Sequence, residues 1–383
     1  MALLTDSLSI KGMRLRNRLA LPPITTSYGT PEGEVTANTL GFYRQRAGDV
    51  GMVVVEATTV RADGRLTPWS LGLWANRQLK GMRELVRTIK GEGAAAVVQL
   101  NHAGARCVPV AEGIRGASPS GFPFRPDVEP TVLTEAQIGE IVRDFAVAAE
   151  RAAEAGCDAV EVHGAHLYLI SQFLSPLTNS RTDRYGGDAA GRAALALEAV
   201  AAVRARLGAA FPILFRLNAV ERVDGGQTVE DAVIVAQRLK DGGVDALHVS
   251  LVGSTSWREV DGRRYLQGTS ALPKEDPFGA NVPNVARIKK ATGLPAIAVG
   301  KLGREEEASR VLASGDADVV AIGRQMIVDP LAARKILEGR TDELVRCKEC
   351  LTCLASIQKP GGLKCSRNRN PSGPAEYYPE AQA

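Results

Sequence analysis

Short apolar runs alternate with amphipathic segments along most of the chain. The runs are rich in valine, isoleucine, leucine and alanine, and the segments between them carry apolar residues three or four positions apart. Eight runs predict strands, at residues 18–22, 50–56, 94–100, 158–163, 213–217, 245–250, 295–299 and 318–322. The average step is about 43 residues, which accommodates a strand, a helix and two loops. A doubly wound sheet shows the same alternation, but eight units favour an α/β fold of the (β/α)8 TIM-barrel type.

Two of the predicted helices begin at a recognisable cap. Thr134 and Gln137 have the spacing of a capping box, and Thr228 opens a helix that Gly242 and Gly243 end. The residues expected to face the core are Ile138, Ile141, Phe145 and Ala149 in the first helix, and Val229, Ala232, Val233, Ala236 and Leu239 in the second. Both helices lead into a predicted strand.

Two long stretches without periodicity follow the third and sixth strands. Residues 101–133 and 251–284 contain glycine and proline and are predicted to be loops. Barrels build their sites from loops at the carboxyl ends of the strands. These two stretches are therefore expected to shape a substrate pocket.

Charge and hydropathy exclude several classes of protein. The chain of 383 residues has 47 basic and 43 acidic side chains, interspersed along its length, which argues against nucleic acid as a partner. No run of 18 apolar residues is present, and the N-terminal segment has charges where a signal peptide needs an apolar core. We expect a cytoplasmic protein without a membrane partner.

The end of the fourth predicted strand carries a long polar motif. It reads HGAHLY at 163–168, QFLSP at 172–176 and NSRTDRYGG at 179–187. This motif closely resembles the signature of the old yellow enzyme family of FMN-dependent oxidoreductases. Further resemblance appears at the other strands: Asn17-Arg18 and Pro22-Pro23-Ile24-Thr25-Thr26, Glu56-Ala57-Thr58, Gln99 to Gly104, Phe215-Arg216-Leu217, Val299-Gly300-Lys301 and Ile322-Gly323-Arg324-Gln325. The resemblance implies a flavin-binding barrel that uses NAD(P)H as a transient reductant.

Candidate flavin contacts lie at these strand ends. Glycine followed by a cation after the seventh and eighth strands offers backbone N–H groups and positive charge to a phosphate. Arg216 is expected beside the pyrimidine side of the flavin and Gln99 against the same ring, while the resemblance places Thr25 near N5 and Ala57 against the ring system. The full set comprises Pro22, Pro23, Thr25, Ala57, Gln99, Arg216, Gly300, Lys301, Gly323 and Arg324.

Three side chains of the motif suit the reduction of an activated alkene. His163 and His166 can donate hydrogen bonds to a substrate carbonyl oxygen, and the Tyr168 phenol can give up a proton. The resemblance implies hydride transfer from flavin N5 to the β-carbon and protonation of the α-carbon by Tyr168. Relatives that oxidise amines carry tyrosine where this chain has His163, so alkene reduction is preferred. Tyr28 is a candidate substrate contact.

Four cysteines form a separate cluster near the C-terminus. Cys347, Cys350, Cys353 and Cys365 have spacing that suits either zinc or an iron–sulfur cluster. They resemble the [4Fe-4S] ligands of the branch that includes dienoyl-CoA reductase and trimethylamine dehydrogenase. Asn370-Pro371 lies two residues later than in that pattern. A [4Fe-4S] cluster is the preferred interpretation, and zinc or no metal are the alternatives.

The leading hypothesis is an FMN-dependent ene reductase that acts on an α,β-unsaturated carbonyl or enoyl compound. We expect an FMN-binding barrel at residues 1–340 and a cysteine-cluster extension at 341–383 packed on it. The related multidomain enzymes continue through further domains, whereas this sequence ends at 383. The main alternative is therefore an FMN and [4Fe-4S] subunit that exchanges electrons with a separate protein and acts on a dienoyl-thioester or an amine. A catalytically silent flavoprotein or binding scaffold is a third hypothesis, which the intact set of His163, His166 and Tyr168 disfavours. Whether the protein forms a homo-oligomer is left open.

Overall fold

Eight parallel strands close into a barrel in the order of the sequence. The computed structural model describes residues 1–109 and 115–378; residues 110–114 of the first predicted loop and 379–383 of the C-terminal segment lie outside it. The barrel strands, β1 to β8, are Leu19–Leu21, Met52–Thr59, Ala95–Asn101, Ala159–Gly164, Ile213–Glu221, Ala246–Val252, Ala296–Val299 and Val319–Ala321. The predicted TIM barrel is thus confirmed, and β2 and β5 extend beyond their predicted ends.

In the described part of the chain, seven long helices surround the barrel. These helices, α1 to α7, are Ala37–Ala47, Leu79–Gly91, Glu135–Glu154, Ala194–Leu207, Val229–Asp241, Val282–Thr292 and Glu305–Ala313. Two short helices, Arg324–Val328 and Ala332–Leu337, follow β8. Further short helices are Leu169–Leu174, Ala189–Arg192 and Thr352–Ser356, and single turns of 3₁₀-helix occur at Ala62–Gly64, Asn76–Gln78, Gly104–Arg106 and Thr341–Glu343.

Both predicted helix caps are present. The Thr134 and Thr228 side chains accept hydrogen bonds from the backbone of the third helical residue, and each cap is reciprocated. The predicted core face of α3 is buried throughout. In α5, Val233 is partly buried and packs against the core as predicted, whereas Val229 is only partly buried. The core also receives Val235, which the predicted stripe did not include.

Two predicted loop regions contain short strands that the sequence pattern did not indicate. Residues 251–284 include an antiparallel hairpin of Ser254–Val260 and Arg263–Thr269, whose outer face is exposed. Residues 101–133 include a short parallel pair, Ala117–Ser118 with Thr131–Val132. The hairpin carries few buried apolar residues, so its alternation is weak in the sequence.

Alternate residues of the barrel strands form two apolar cores. One set packs between the strands and the helices and includes Val160, Val162 and Phe215. The other fills the lower barrel interior and includes Val97 and Leu214. A hairpin of Leu8–Ile10 and Met13–Leu15 adds Ile10, Met13 and Leu15 to this inner core and closes the barrel at its amino-terminal end. The opposite end is left for polar side chains.

Candidate active site

The barrel interior changes from apolar to polar toward the carboxyl ends of the strands. In β4, Val160 and Val162 lie in the outer core, whereas Glu161 and His163 occupy the inward positions between and after them. The same alternation places buried polar side chains inside the other strands, namely Gln99, Arg216, Asn218, His248 and Ser250. This polar layer forms the floor of the site.

Three aromatic side chains of the HGAHLY motif pack against one another above this layer. The ring centroid of His163 lies 5.0 Å from that of His166 and 5.2 Å from that of Tyr168, both edge to face. The rings of His166 and Tyr168 are 6.4 Å apart. The structure therefore brings the three predicted catalytic side chains together in one cluster.

The turn between the second histidine and the tyrosine has a strained backbone. His166 and Leu167 have φ values of 62° and 59°, in the left-handed region that residues other than glycine rarely adopt. Side chains from elsewhere hold their polar backbone groups. Asn218 Oδ1 accepts from the His166 N–H at 3.1 Å, Ser171 Oγ accepts from the Leu167 N–H at 3.1 Å, and Arg106 donates to the His166 carbonyl at 2.6 Å. Such strain is maintained where it positions functional groups.

Burial keeps both imidazoles neutral. It lowers the pKa of His163 and of His166 well below the ordinary value, and the Arg216 guanidinium lowers both further. His163 Nδ1 accepts a hydrogen bond from the Ala165 N–H at 3.3 Å, so the ring proton lies on Nε2. Burial also raises the pKa of Tyr168 above 10, although Arg106 and Arg216 oppose the shift. At neutral pH the site thus contains hydrogen-bond donors and a protonated phenol.

All ten predicted flavin contacts line a single cavity at the top of the barrel, together with His163, His166 and Tyr168. The cavity is also lined by Arg304, Arg346 and Glu349. With Arg216, Lys301 and Arg324, the charged lining comprises five cations and one carboxylate. A dianionic phosphate group suits this balance of charge.

Two arginines that line this cavity each have a buried guanidinium nitrogen without a hydrogen-bond partner among the described residues. Arg216 Nε and Arg324 Nη1 are buried and make no hydrogen bond within the described residues. Burial lowers the pKa of Arg216 to about 10, so the group stays charged at neutral pH. Gly300, which lines the cavity after β7, has a φ of 125°, a conformation that favours glycine. The unsatisfied donors fit a bound FMN, for which the sequence predicts Arg324 near the phosphate and Arg216 near the ring.

Lys301 lines the cavity, but its ammonium group already has partners. Nζ donates to the carbonyls of Lys274 and Asp276, each at 2.8 Å, and to that of Pro273 at 3.2 Å. It also lies 3.0 Å from the carboxylate of Glu349. The Lys301 side chain therefore links the loop after the exposed hairpin to the cysteine segment. The nearby cavity residue Arg324, by contrast, has a nitrogen, Nη1, without a hydrogen-bond partner among the described residues.

The structure does not bring Tyr28 to the cavity. Its hydroxyl donates to the Leu363 carbonyl at 2.6 Å, and its ring packs edge to face with Phe42 at 6.4 Å between centroids. Leu363 N in turn donates to the Thr26 carbonyl at 2.8 Å. Tyr28 thus attaches the C-terminal segment to the loop after β1, which accounts for its burial without a substrate.

The cysteine segment forms part of the cavity wall through Cys347 and Cys353. Cys347 N donates to Gln325 Oε1 at 3.0 Å, directly after β8. Cys350 is exposed, and its thiol interacts with the hydroxyls of Thr352 and Ser366 at 3.2 and 3.1 Å. Across residues 1–109 and 115–378, no group of three or more histidine, cysteine or acidic side chains is arranged to hold a metal ion. The four thiols do not form a ready ligand set in this conformation.

Two functional candidates in the polar layer escaped sequence reasoning. Glu161 accepts a hydrogen bond from Gln99 Nε2 at 2.7 Å, and its other oxygen lies 2.8 Å from His248 Nδ1. Both side chains are completely buried. The available signal was a polar residue at every second position of an otherwise apolar strand, as in AVEVHG at 159–164 and ALHVSLV at 246–252.

The fold and the cavity together define a flavin-binding barrel of the oxidoreductase type. Residues 4–343 match the model of the NADH:flavin oxidoreductase / NADH oxidase family. The chain belongs to this family, which is the old yellow enzyme family of FMN-dependent oxidoreductases. The resemblance inferred from the HGAHLY motif is confirmed.

Known relatives cover the whole barrel. The chain is 35% identical over 366 residues to an NADH oxidase of Thermoanaerobacter brockii, with 94% of this chain and 54% of the relative aligned. It is 34% identical over 348 residues to an NADPH dehydrogenase of Listeria monocytogenes serotype 4a, with 90% and 97% aligned. A 2-naphthoyl-CoA reductase in complex with 2-naphthoyl-CoA has a TM-score of 0.83 at 25% identity, covering 91% of this chain and 54% of that one.

The relatives differ in length. This chain spans about half of the NADH oxidase and of the 2-naphthoyl-CoA reductase, but nearly all of the NADPH dehydrogenase. Among the described residues, the helices are all too short or too polar to cross a bilayer.

Proposed function

We propose that this protein reduces the C=C bond of an α,β-unsaturated carbonyl or enoyl compound with FMN as cofactor and NAD(P)H as reductant. The observation that carries the proposal is the edge-to-face cluster of His163, His166 and Tyr168 on the wall of the cavity that suits FMN. Family membership supports the cofactor and the reductant.

FMN held in this cavity by Gln99, Arg216 and Arg324 would supply the hydride chemistry that connects NAD(P)H with the substrate β-carbon. The protein supplies the polarisation of the substrate. A neutral His163 with its proton on Nε2 can donate to the carbonyl oxygen, on which negative charge grows during hydride transfer. His166 is held for the same task by its backbone bond to Asn218.

Tyr168 completes the reaction as the general acid. Its raised pKa keeps the phenol protonated at neutral pH, and the phenolic proton passes to the α-carbon. The phenolate then recovers a proton from water, so each turnover consumes one NAD(P)H and one proton for one saturated product. The Arg106 guanidinium lies 5.2 Å from the Tyr168 ring centroid and stabilises the transient phenolate.

A second cavity of about 400 Å³ adjoins the first and shares His166 and Tyr168 with it. Its apolar lining consists of Leu66, Phe124, Leu266, Leu354 and Ile357. Because this cavity meets the proposed acid and leads away from the flavin contacts, we assign it to the substrate. Its lining favours an apolar group next to the activated alkene.

The second candidate is an FMN and [4Fe-4S] subunit that exchanges electrons with a separate protein and acts on a dienoyl-thioester or an amine. The thiol spacing supports it, as do Cys347 and Cys353 in the wall of the FMN cavity. Forming such a centre requires the Cys350 thiol to leave Thr352 and Ser366, and it requires the thiols to rearrange, since no three of them are placed to hold a metal ion among the described residues. The family match ends at residue 343, which supports a division between the barrel at 1–340 and this extension at 341–383.

Separate half-reactions test the proposal. The FMN-loaded protein is mixed anaerobically with NADH or NADPH, and flavin bleaching is followed. The reduced protein is then mixed with enones, enoyl-thioesters or amines. We expect bleaching by a nicotinamide and rapid recovery with an enone or enoyl-thioester. Bleaching by an amine, or reduction only through an added electron-transfer protein, would favour the second candidate. If neither the nicotinamides nor the candidate substrates change the flavin absorbance, the protein is a catalytically silent flavoprotein.

A further inference from the structure

A buried carboxylate lies directly behind the predicted pyrimidine side of the flavin. Glu161 is fully buried in β4, and no part of it reaches the cavity lining. One of its oxygens accepts from Gln99 Nε2 at 2.7 Å, and the other lies 2.8 Å from His248 Nδ1. Gln99 is in the cavity wall, so Glu161 contacts the flavin site through this side chain.

The carboxylate determines which end of the Gln99 amide faces the cavity. An ionised carboxylate only accepts hydrogen bonds, so the group that faces it must be the amide NH₂. Gln99 Oε1 is then left toward the cavity as an acceptor. A ligand with an N–H group at this edge, such as a flavin pyrimidine, matches this orientation.

Glu161 also offsets the positive charge of Arg216. Burial alone would raise the pKa of Glu161, but His248 and Arg216 hold it below its ordinary value, so the carboxylate is ionised. His248 stands opposite Arg216 in the register of β6 with β5. Burial lowers the pKa of His248, so it is neutral and donates from Nδ1 to the carboxylate. The polar layer beneath the cavity thus contains one negative group, Glu161, and one positive group, Arg216.

We propose that Glu161 is a positioning residue that fixes the orientation of Gln99 and, by offsetting the charge of Arg216, lowers the reduction potential of the bound flavin. The inference rests on the proposed FMN site. Reduction adds negative charge at the pyrimidine side of the flavin, which Arg216 stabilises and Glu161 opposes. Removal of the Glu161 charge should therefore favour the reduced flavin.

The test is Glu161→Gln, which preserves side-chain volume. His248 can accept from the new amide by moving its proton to Nε2, an atom that has no partner among the described residues, so the variant should fold. The dissociation constants of oxidised and reduced FMN are measured for the wild type and the variant. We expect their ratio to shift toward the reduced form by about tenfold or more, equivalent to about 30 mV for a two-electron couple.

Two further variants separate this role from general damage. Glu161→Met removes the charge without any hydrogen bond and should shift the ratio in the same direction. Glu221→Gln removes another buried carboxylate, whose partners Ser175, Gln227 and Asn218 do not line the FMN cavity, and should leave the ratio unchanged. If the ratio in the Glu161 variants is unchanged, or shifts toward the oxidised form, the inference is overturned. FMN binding by these proteins would still support the proposed function. A wild-type chain that binds no FMN would overturn both.

Discussion

The Ser250 hydroxyl lies 2.7 Å from Nε2 of His166, although 84 residues separate the two in the sequence. Ser250 is buried in β6, and His166 follows β4 on a strained turn. The contact fixes the rotation of the imidazole ring, while Asn218 fixes its backbone. His166 therefore reaches the substrate cavity in one defined orientation.

Ser250→Ala should impair substrate activation without affecting flavin reduction. Loss of one buried hydrogen bond predicts a fall of about three- to tenfold in the oxidative half-reaction, because the His166 ring is no longer held. Rapid mixing of the reduced enzyme with an enone measures this rate. Equal rates in variant and wild type across several enones would show that the serine does not position His166.

Tyr168→Phe tests the general acid. The ring packing against His163 and His166 is retained, but the proton source is removed. We expect flavin reduction by NAD(P)H to be preserved and alkene reduction to fall by about 10² or more. Because burial raises the pKa of Tyr168, the wild-type rate should show no loss from ionisation of this phenol around neutral pH. An unchanged oxidative half-reaction in the variant would rule out the assignment.

Arg324→Ala tests the phosphate site by comparing FMN with riboflavin, which lacks the phosphate. A charge-assisted hydrogen bond from the free Nη1 predicts that FMN affinity falls about tenfold or more while riboflavin affinity changes little. Lys301→Ala is the matched control, since that ammonium is occupied by loop carbonyls and Glu349. It should weaken both flavins to a similar extent. If Lys301→Ala, and not Arg324→Ala, removed the preference for FMN over riboflavin, the phosphate contact would belong to Lys301 instead of Arg324.

Metal analysis tests the cysteine segment. If it holds the proposed cluster, anaerobically purified protein should contain about four iron and four sulfide per chain. Stoichiometric zinc, or no metal, would contradict this expectation. Cys350→Ala should abolish the cluster. If that variant retains full NAD(P)H-driven alkene reduction, the cluster takes no part in that reaction.

Glu56 predicts a specific pH dependence of stability. Burial raises its pKa from 4.5 to about 7, although Thr26 donates to the carboxylate from its backbone N–H at 2.8 Å. The unfolded chain releases this proton at lower pH than the folded chain. The free energy of unfolding should therefore fall by about 3 kcal/mol as pH rises through this window.

Glu56→Gln cannot ionise, so its stability relative to wild type should increase over the same window. Urea unfolding of both proteins between about pH 4.5 and 8, at equal FMN loading, measures the difference. If the plots of unfolding free energy against pH remained parallel for the two proteins, Glu56 would not titrate in this range. Any constant offset reports the lost hydrogen bond with Thr26 and does not affect the comparison.

Local patterns in the sequence predicted much of the fold. The capping residues Thr134 and Thr228 and the eight apolar runs depend on neighbours within a few positions, so they were readable without tertiary information. The hairpin at 254–269 was missed because its first strand has no fully buried position, so the apolar half of the alternation is missing there. Val235 shows the same limit, since it is buried in the outer core although the predicted apolar stripe of α5 did not include it.

The sequence by itself determined the barrel, the family and the chemical groups at the strand ends, because strand period and motif order are properties of the chain. Only the tertiary structure decided how those groups are used. The Lys301 ammonium donates to loop carbonyls, and the Tyr28 hydroxyl donates to the Leu363 carbonyl. The Glu161 carboxylate accepts from Gln99 and lies within hydrogen-bond distance of His248. Each of these contacts joins residues more than 20 positions apart, and only the folding of the barrel and of the loops and C-terminal segment on it brings them within hydrogen-bond distance.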